Sequence, residues 1–207
     1  FKLATWFAPF FIALMGFDQL SGEVGPRSIR YLVVRVRRTS IVWGKLAAQA
    51  TVLVGLLAVA TLLMVVVARV LNSDFTWGLV FTWLFKLLGA SAVLALAWLG
   101  LTALCSALFR TPGISLVVNI IGILLFAFLA AFGAAVRFPG EAAKGALDTL
   151  VRSENWLAVT RYGSVWYFGQ DLLHPSLRRY LVAVLMHVGF ALLFIGTAQL
   201  VLRRRDL

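Results

Sequence analysis

Between Leu46 and Leu71 the chain reads LAAQATVLVGLLAVATLLMVVVARVL, with no charged side chain before Arg69. A helix crossing about 30 Å of hydrocarbon needs roughly 20 apolar residues, and this stretch supplies them. Leu87 to Leu108 is a second such run, Ile114 to Val136 a third, and Tyr180 to Leu202 a fourth, interrupted only by His187 and Gln199. The opening stretch, Leu3 to Phe17, is apolar but short. It has neither the basic leader region nor the small-residue cleavage site of a signal peptide. We read it as the tail of a span that begins before Phe1, with a further helix ahead of it. The expected fold is all-α, a polytopic transmembrane helix bundle forming one domain over residues 1–207. Five spans of an expected six lie at 3–17, 46–71, 87–108, 114–136 and 180–202.

Composition agrees. Hydrophobic residues make up 62% of the 207, charged residues only 13%, and the mean hydropathy is +0.96. Soluble domains carry about 25% charged residues, so this chain could not clothe a soluble surface. The net charge of +11 would suit a nucleic-acid ligand in a polar chain. In one this apolar, the basic residues hold loops on one side of the membrane and meet anionic lipid headgroups. Membrane lipids are therefore expected partners and nucleic acid is not. The single cysteine, Cys105, sits in an apolar run and allows no internal disulfide.

Orientation follows from the basic residues. The 18–45 loop carries Arg27, Arg30, Arg35, Arg37, Arg38 and Lys45. Arg110 lies between the third and fourth spans, and the chain closes on Arg203-Arg204-Arg205. With five spans these segments share one side, where they far outnumber Asp18, Glu23 and Asp206. The positive-inside rule makes that side cytoplasmic. The C-terminus is then inside the cell membrane, and the long 137–179 loop lies outside with the Asn72–Trp77 turn. In the outer loop, Glu141 to Arg152 can form a short helix, and Trp156, Trp166, Tyr167 and Phe168 suit interfacial anchors. Gating of an outer exit is the sharper alternative.

Gly25-Pro26 breaks the 18–45 loop, and a helical pattern follows. Ile29, Leu32, Val33 and Val36 form an apolar stripe, with Arg30, Arg37 and Arg38 beside or opposite it. Pro26 suits a first helical position. Periodicity alone leaves two roles open for this short amphipathic helix, lying on headgroups or docking into a groove on a soluble partner.

Few chemical motifs occur within the spans. Asp74, in a turn, is the only acidic residue between Leu46 and Val136. Lys86 is placed to snorkel to the interface, and His187 to pack with a hydrogen bond. A nucleophilic dyad would have to combine Cys105 or Ser115 with His187, without a local signature. The paired histidines and carboxylates of metalloproteases are missing. No Gly-x-x-x-x-Gly-Lys-Ser/Thr phosphate loop occurs. We expect no enzymatic activity, metal or cofactor in this chain. Gly89, Ala90, Ser91, Ala92 and Ala95 form a small-residue face suited to close helix packing, within the subunit or between subunits.

Ser21-Gly22-Glu23, then Ser28-Ile29-Arg30-Tyr31-Leu32, then Arg37-Arg38-Thr39-Ser40-Ile41-Val42-Trp43-Gly44-Lys45 resemble the cytoplasmic loop of ABC-2 type transporter permeases. Glu23, Leu32-Val33, Arg38 and Gly44-Lys45 stand where that family places an acidic residue, a Leu-Leu pair, the arginine of a Pro-x-x-Arg element and a Gly-Lys entering the next span. The ending Arg203-Arg204-Arg205-Asp206 is similar to the family's basic-Asp close. Arg27-Ser28 replaces the usual Gly-Thr, and Arg35 stands in the place of the proline.

The resemblance implies the membrane half of an ATP-driven exporter, a dimer of permeases, homo- or heterodimeric, bound to separate ATPase subunits that hold ATP and Mg. The 29–38 segment would be the coupling helix. Glu23, Ile29, Arg30, Leu32, Val33, Val36, Arg37 and Arg38 would meet the ATPase. The alternatives are an ion-coupled secondary transporter and a non-transporting scaffold that docks a cytoplasmic partner.

Overall fold

The computed structural model describes residues 2–24, 38–72, 76–137 and 160–204. All regular structure among them is helical: α1 (Lys2–Gly16), α2 (Ser21–Val24), α3 (Arg38–Leu71), α4 (Trp77–Leu108), α5 (Pro112–Arg137), α6 (Val165–Gly169) and α7 (Leu177–Arg204). Single 3-10 turns, Thr160–Gly163 and Gln170–Leu173, flank α6. Ser40–Leu71, Trp77–Leu108, Pro112–Gly133 and Leu177–Arg204 are long and apolar enough to cross a membrane. The chain is a membrane-embedded helical bundle. α1 is shorter, and its 15 residues span about 22 Å at 1.5 Å per residue.

Two helices begin well before their apolar runs. α4 starts at Trp77 rather than Leu87, because Lys86 ends the apolar run without breaking the backbone ladder. The Val80 amide donates to the Thr76 carbonyl at 3.0 Å, and Thr82 Oγ1 donates to the Gly78 carbonyl. Lys86 stays exposed, with its ammonium 5.6 Å from the Trp83 ring centroid, in cation–π range. α3 likewise starts at Arg38, so the last turns of the expected 18–45 loop are helix continuous with the span. The expected helix over 141–152 lies outside the described residues, as do residues 25–37.

α4 is the central helix. In its most apolar 18-residue stretch 61% of the residues are buried, against 17% in α3, 17% in α5 and 28% in α7. Helices in lipid gain nothing from hydrophobic transfer toward one another. They associate through close packing, which small residues permit. Ala97, Ala103 and Ala107 of α4 are fully buried, and a side chain at Gly100 would stand 3.2 Å from the Ala191 carbonyl oxygen of α7. The close approach of α4 to α7 therefore falls beyond the expected small-residue face. Of that face Ala90 and Ala95 are buried, while Gly89 is exposed and meets nothing. The α4–α7 interface is the most extensive in the bundle. Gly100 faces Ala191, and Ala103 and Ala107 share an apolar cluster with Ile195, Ala198 and Leu202, so the two helices run parallel. α3 turns Val52, Leu56, Leu63 and Val67 outward, where a bilayer would meet them.

The 160–173 segment was expected among the surface loops, with its aromatics as interfacial anchors. Instead it folds back into the bundle. Arg161 packs against Gly133 near the end of α5, and Ser164 Oγ donates to the Phe126 carbonyl near the middle of that helix. Ser164 also caps α6 by accepting from the Trp166 amide. Trp166 is only 2% exposed, with its ring centroid 5.4 Å from that of Trp98 and 4.8 Å from that of Trp6. The segment leaves past Leu173, which packs on Val65, Val80 and Leu87. Aromatic enrichment cannot distinguish a ring at the interface from one in a core, and here the core took Val165, Trp166, Phe168 and Leu172.

Candidate functional site

The expected site is the loop between α1 and α3. Ile29, Arg30, Leu32, Val33, Val36 and Arg37 lie outside the described residues. Glu23 and Arg38 are placed by their backbones alone, in α2 and at the first position of α3. What is described is how the loop is rooted at both ends.

Ser106, fully buried on α4, accepts hydrogen bonds from the backbone amides of Leu20 (2.8 Å) and Ser21 (3.0 Å). Ser21 Oγ in turn donates to the Phe17 carbonyl at 2.9 Å. On the other side of the loop, Lys45 of α3 donates to the Gln19 carbonyl. Leu20, Val42 and Leu46 then pack with Ala103 and Ala107 of α4 and Ala191, Ile195, Ala198 and Leu202 of α7. Chain entering and leaving residues 25–37 is thus fastened to the two most intimately packed helices. Removing such a buried acceptor from two amides costs about 1–3 kcal/mol for each group left unsatisfied.

One helical turn deeper lies a polar junction that the sequence reading passed over. Asn119 of α5, fully buried, donates from Nδ2 to Thr102 Oγ1 of α4 at 2.9 Å. A side chain at Gly16, the last residue of α1, would collide with Gln49 Nε2 of α3 and stand 2.8 Å from Thr102 Cγ2. Gln49, Thr102 and Asn119 therefore converge where α1 ends. Ser115 lies one turn from Asn119 on the same face of α5 and is fully buried. A single unsatisfied polar group in hydrocarbon costs several kcal/mol, so these residues are an expensive choice for a lipid-embedded core.

Elsewhere the described residues offer little chemistry. No group of three or more His, Cys, Asp or Glu that could hold a metal occurs among them. His187 is fully buried, and its Nδ1 donates to the Ala183 carbonyl at 2.8 Å, while Nε2 has no partner. Neither ring nitrogen engages Cys105 or Ser115. Arg161 stacks on Tyr162 and Tyr167, 4.7 and 5.1 Å from their ring centroids. Burial pushes the Tyr167 phenol above its ordinary pKa, and the Arg161 cation partly draws it back. An apolar cleft of about 320 Å³ lies among α1, α3 and α4, lined by Phe7, Phe11, Met15, Leu53 and Leu57, with Ser91 as its polar margin.

No protein-family model matches the chain, and neither a characterised protein nor a solved structure does. Function therefore rests on the residues themselves.

Proposed function

We propose that this chain is the membrane-spanning permease subunit of an ATP-driven ABC exporter, working by alternating access as one of a pair and driven by separate ATPase subunits. The observation that carries this reading is the rooting of the 18–45 loop. A loop that receives force from a soluble motor must pass it to the spans, and slack at its base would absorb it. Here the entering end is fastened through Ser106 to the central helix, and Lys45 of α3 ties the leaving end back to the Gln19 carbonyl. The sequence supports the same reading. The basic amphipathic stretch 29–38 sits between those roots, and the loop resembles that of ABC-2 permeases. A motor in another chain is consistent with the lack of a phosphate loop here. In this reading the Arg110 end of the bundle, with Arg38, Lys45, Arg203 and Arg204, faces the cytoplasm, and α1 belongs to a fifth crossing.

Purification of the tagged full-length protein in mild detergent, with mass spectrometry of what accompanies it, tests the proposal. A stoichiometric ATPase with a phosphate loop, lost on Leu32→Asp with Val36→Asp, is the expected result. A dimeric preparation without any ATPase would overturn it, in favour of a scaffold or an ion-coupled carrier.

A further inference from the structure

Arg161, 7% exposed, is the only buried side chain with a fixed charge among the described residues. Its Nη2 donates to the Tyr162 hydroxyl at 2.6 Å, and its guanidinium lies 4.7 and 5.1 Å from the Tyr162 and Tyr167 ring centroids. The two rings meet edge to face, 5.2 Å apart. Burial raises the Tyr167 phenol and so keeps it neutral. Asp171 is near enough to push the same phenol up, but among the described residues no carboxylate forms an ion pair with Arg161. The faces of two neutral rings attract a cation without cancelling its charge. Burying a charge is costly unless an opposite charge accompanies it.

The depth of the cluster indicates where that charge comes from. Arg161 packs against Gly133, which ends the apolar span Pro112–Gly133. Those 22 residues rise about 33 Å at 1.5 Å per residue, close to the roughly 30 Å of bilayer hydrocarbon. Arg161 thus stands where hydrocarbon gives way to headgroups, at the end of the bundle opposite Arg110. Tyr162, 43% exposed, carries the cluster to the surface. Of the guanidinium nitrogens, Nη2 holds Tyr162 and Nε is sealed in, whereas Nη1 is not sealed. At headgroup level the anionic group always at hand is the lipid phosphate, and a planar guanidinium matches its oxygens.

We propose that Arg161, framed by Tyr162 and Tyr167, is a binding site for the phosphate of a membrane phospholipid. The lipid supplies the counter-charge at the point where the 160–173 segment enters the bundle. The site does not depend on an ATPase partner.

Native mass spectrometry of the full chain in detergent tests this, with phosphatidylglycerol as the probe. Diacylglycerol of the same chains and inorganic phosphate serve as competitors. Neither should displace the phospholipid, since one lacks the phosphate and the other the tails. Arg161→Gln should weaken phosphatidylglycerol binding at least about tenfold, the size of one charge-assisted hydrogen bond. Arg178→Gln, exposed at the start of α7, should leave it nearly unchanged. Equal weakening by the two variants, or displacement by diacylglycerol, would overturn the proposal. Displacement by inorganic phosphate would make this a site for soluble anions and overturn the lipid assignment. Arg161→Lys keeps the charge and the test if Arg161→Gln fails to fold. It should still weaken binding about threefold, because an ammonium lacks the planar fork, and unchanged binding would count against the site.

Discussion

Gly133 and Arg161 meet almost backbone to backbone: a methyl group added at Gly133 would stand 2.7 Å from Arg161 Cβ and 2.8 Å from its amide nitrogen. Neither atom belongs to a flexible tip that could swing aside. The contact fixes where the 160–173 segment enters the bundle.

Gly133→Ala should therefore destabilise the protein by about 1–3 kcal/mol, the usual cost of overpacking. The readout is the thermal midpoint in detergent. Gly163→Ala, where nothing lies within 4 Å, serves as control and should leave the midpoint nearly unchanged. Equal effects at the two glycines would show that the close approach at Gly133 does not matter.

Ser106→Ala should remove the acceptor shared by the Leu20 and Ser21 amides and cost about 2–6 kcal/mol, with both orphaned. Ser21→Ala should cost less, because it leaves the two amides on Ser106 and loses mainly the bond to Phe17. If an ATPase associates as proposed, Ser106→Ala should also lower stimulated ATP hydrolysis without preventing association. Comparing denaturation with ATPase activity separates the two effects.

Trp98 is 1% exposed and its ring packs edge-on against those of Trp166 and Phe126. Trp98→Ala should cost about 3–5 kcal/mol, whereas Leu63→Ala, on the outward face of α3 at 60% exposure, should cost little. Steric-trap or thermal unfolding would rank them, and a reversed order would contradict the central position of α4.

Thr102→Val leaves Asn119 Nδ2 without its acceptor, while Asn119→Leu removes the donor. Each single change should destabilise, by about 1–2 kcal/mol in a membrane core. The double variant should cost less than the two together, since no orphan then remains on that pair. Strict additivity in a double-mutant cycle would show that the bond contributes nothing.

The four long helices were legible because hydropathy reports what a bilayer solvates. Their starts were less so. Trp77 to Lys86 is helical although it is not uniformly apolar, since helix propagation needs backbone bonds rather than hydropathy. The inward fold of 160–173 was hidden because Trp166 and Phe168 have the composition of an interfacial belt, and only tertiary contact separates the two fates. The polar junction did leave a mark. Lys45 and Gln49, Thr102 and Ser106, and Ser115 and Asn119 are polar pairs four residues apart within or beside three apolar runs. That spacing stacks each pair on one helix face, and three such pairs in neighbouring spans point to one shared seam. The apolar stripe 29–36 was equally legible, but its contacts lie beyond the described residues.

The parallel pairing of α4 and α7 also bears on how the bundle is made. A ribosome delivers α4 well before α7, with α5 and the 160–173 segment in between. Until α7 emerges, the small-residue flank of α4 from Gly100 to Ala107 has lipid, or a chaperone, where Ala191, Ile195 and Ala198 will later sit. Contacts between segments so far apart in sequence form slowly. α7 thus closes on a groove that α4 and its neighbours have already prepared, and a chain cut short of Leu177 would leave the bundle's widest seam unfilled.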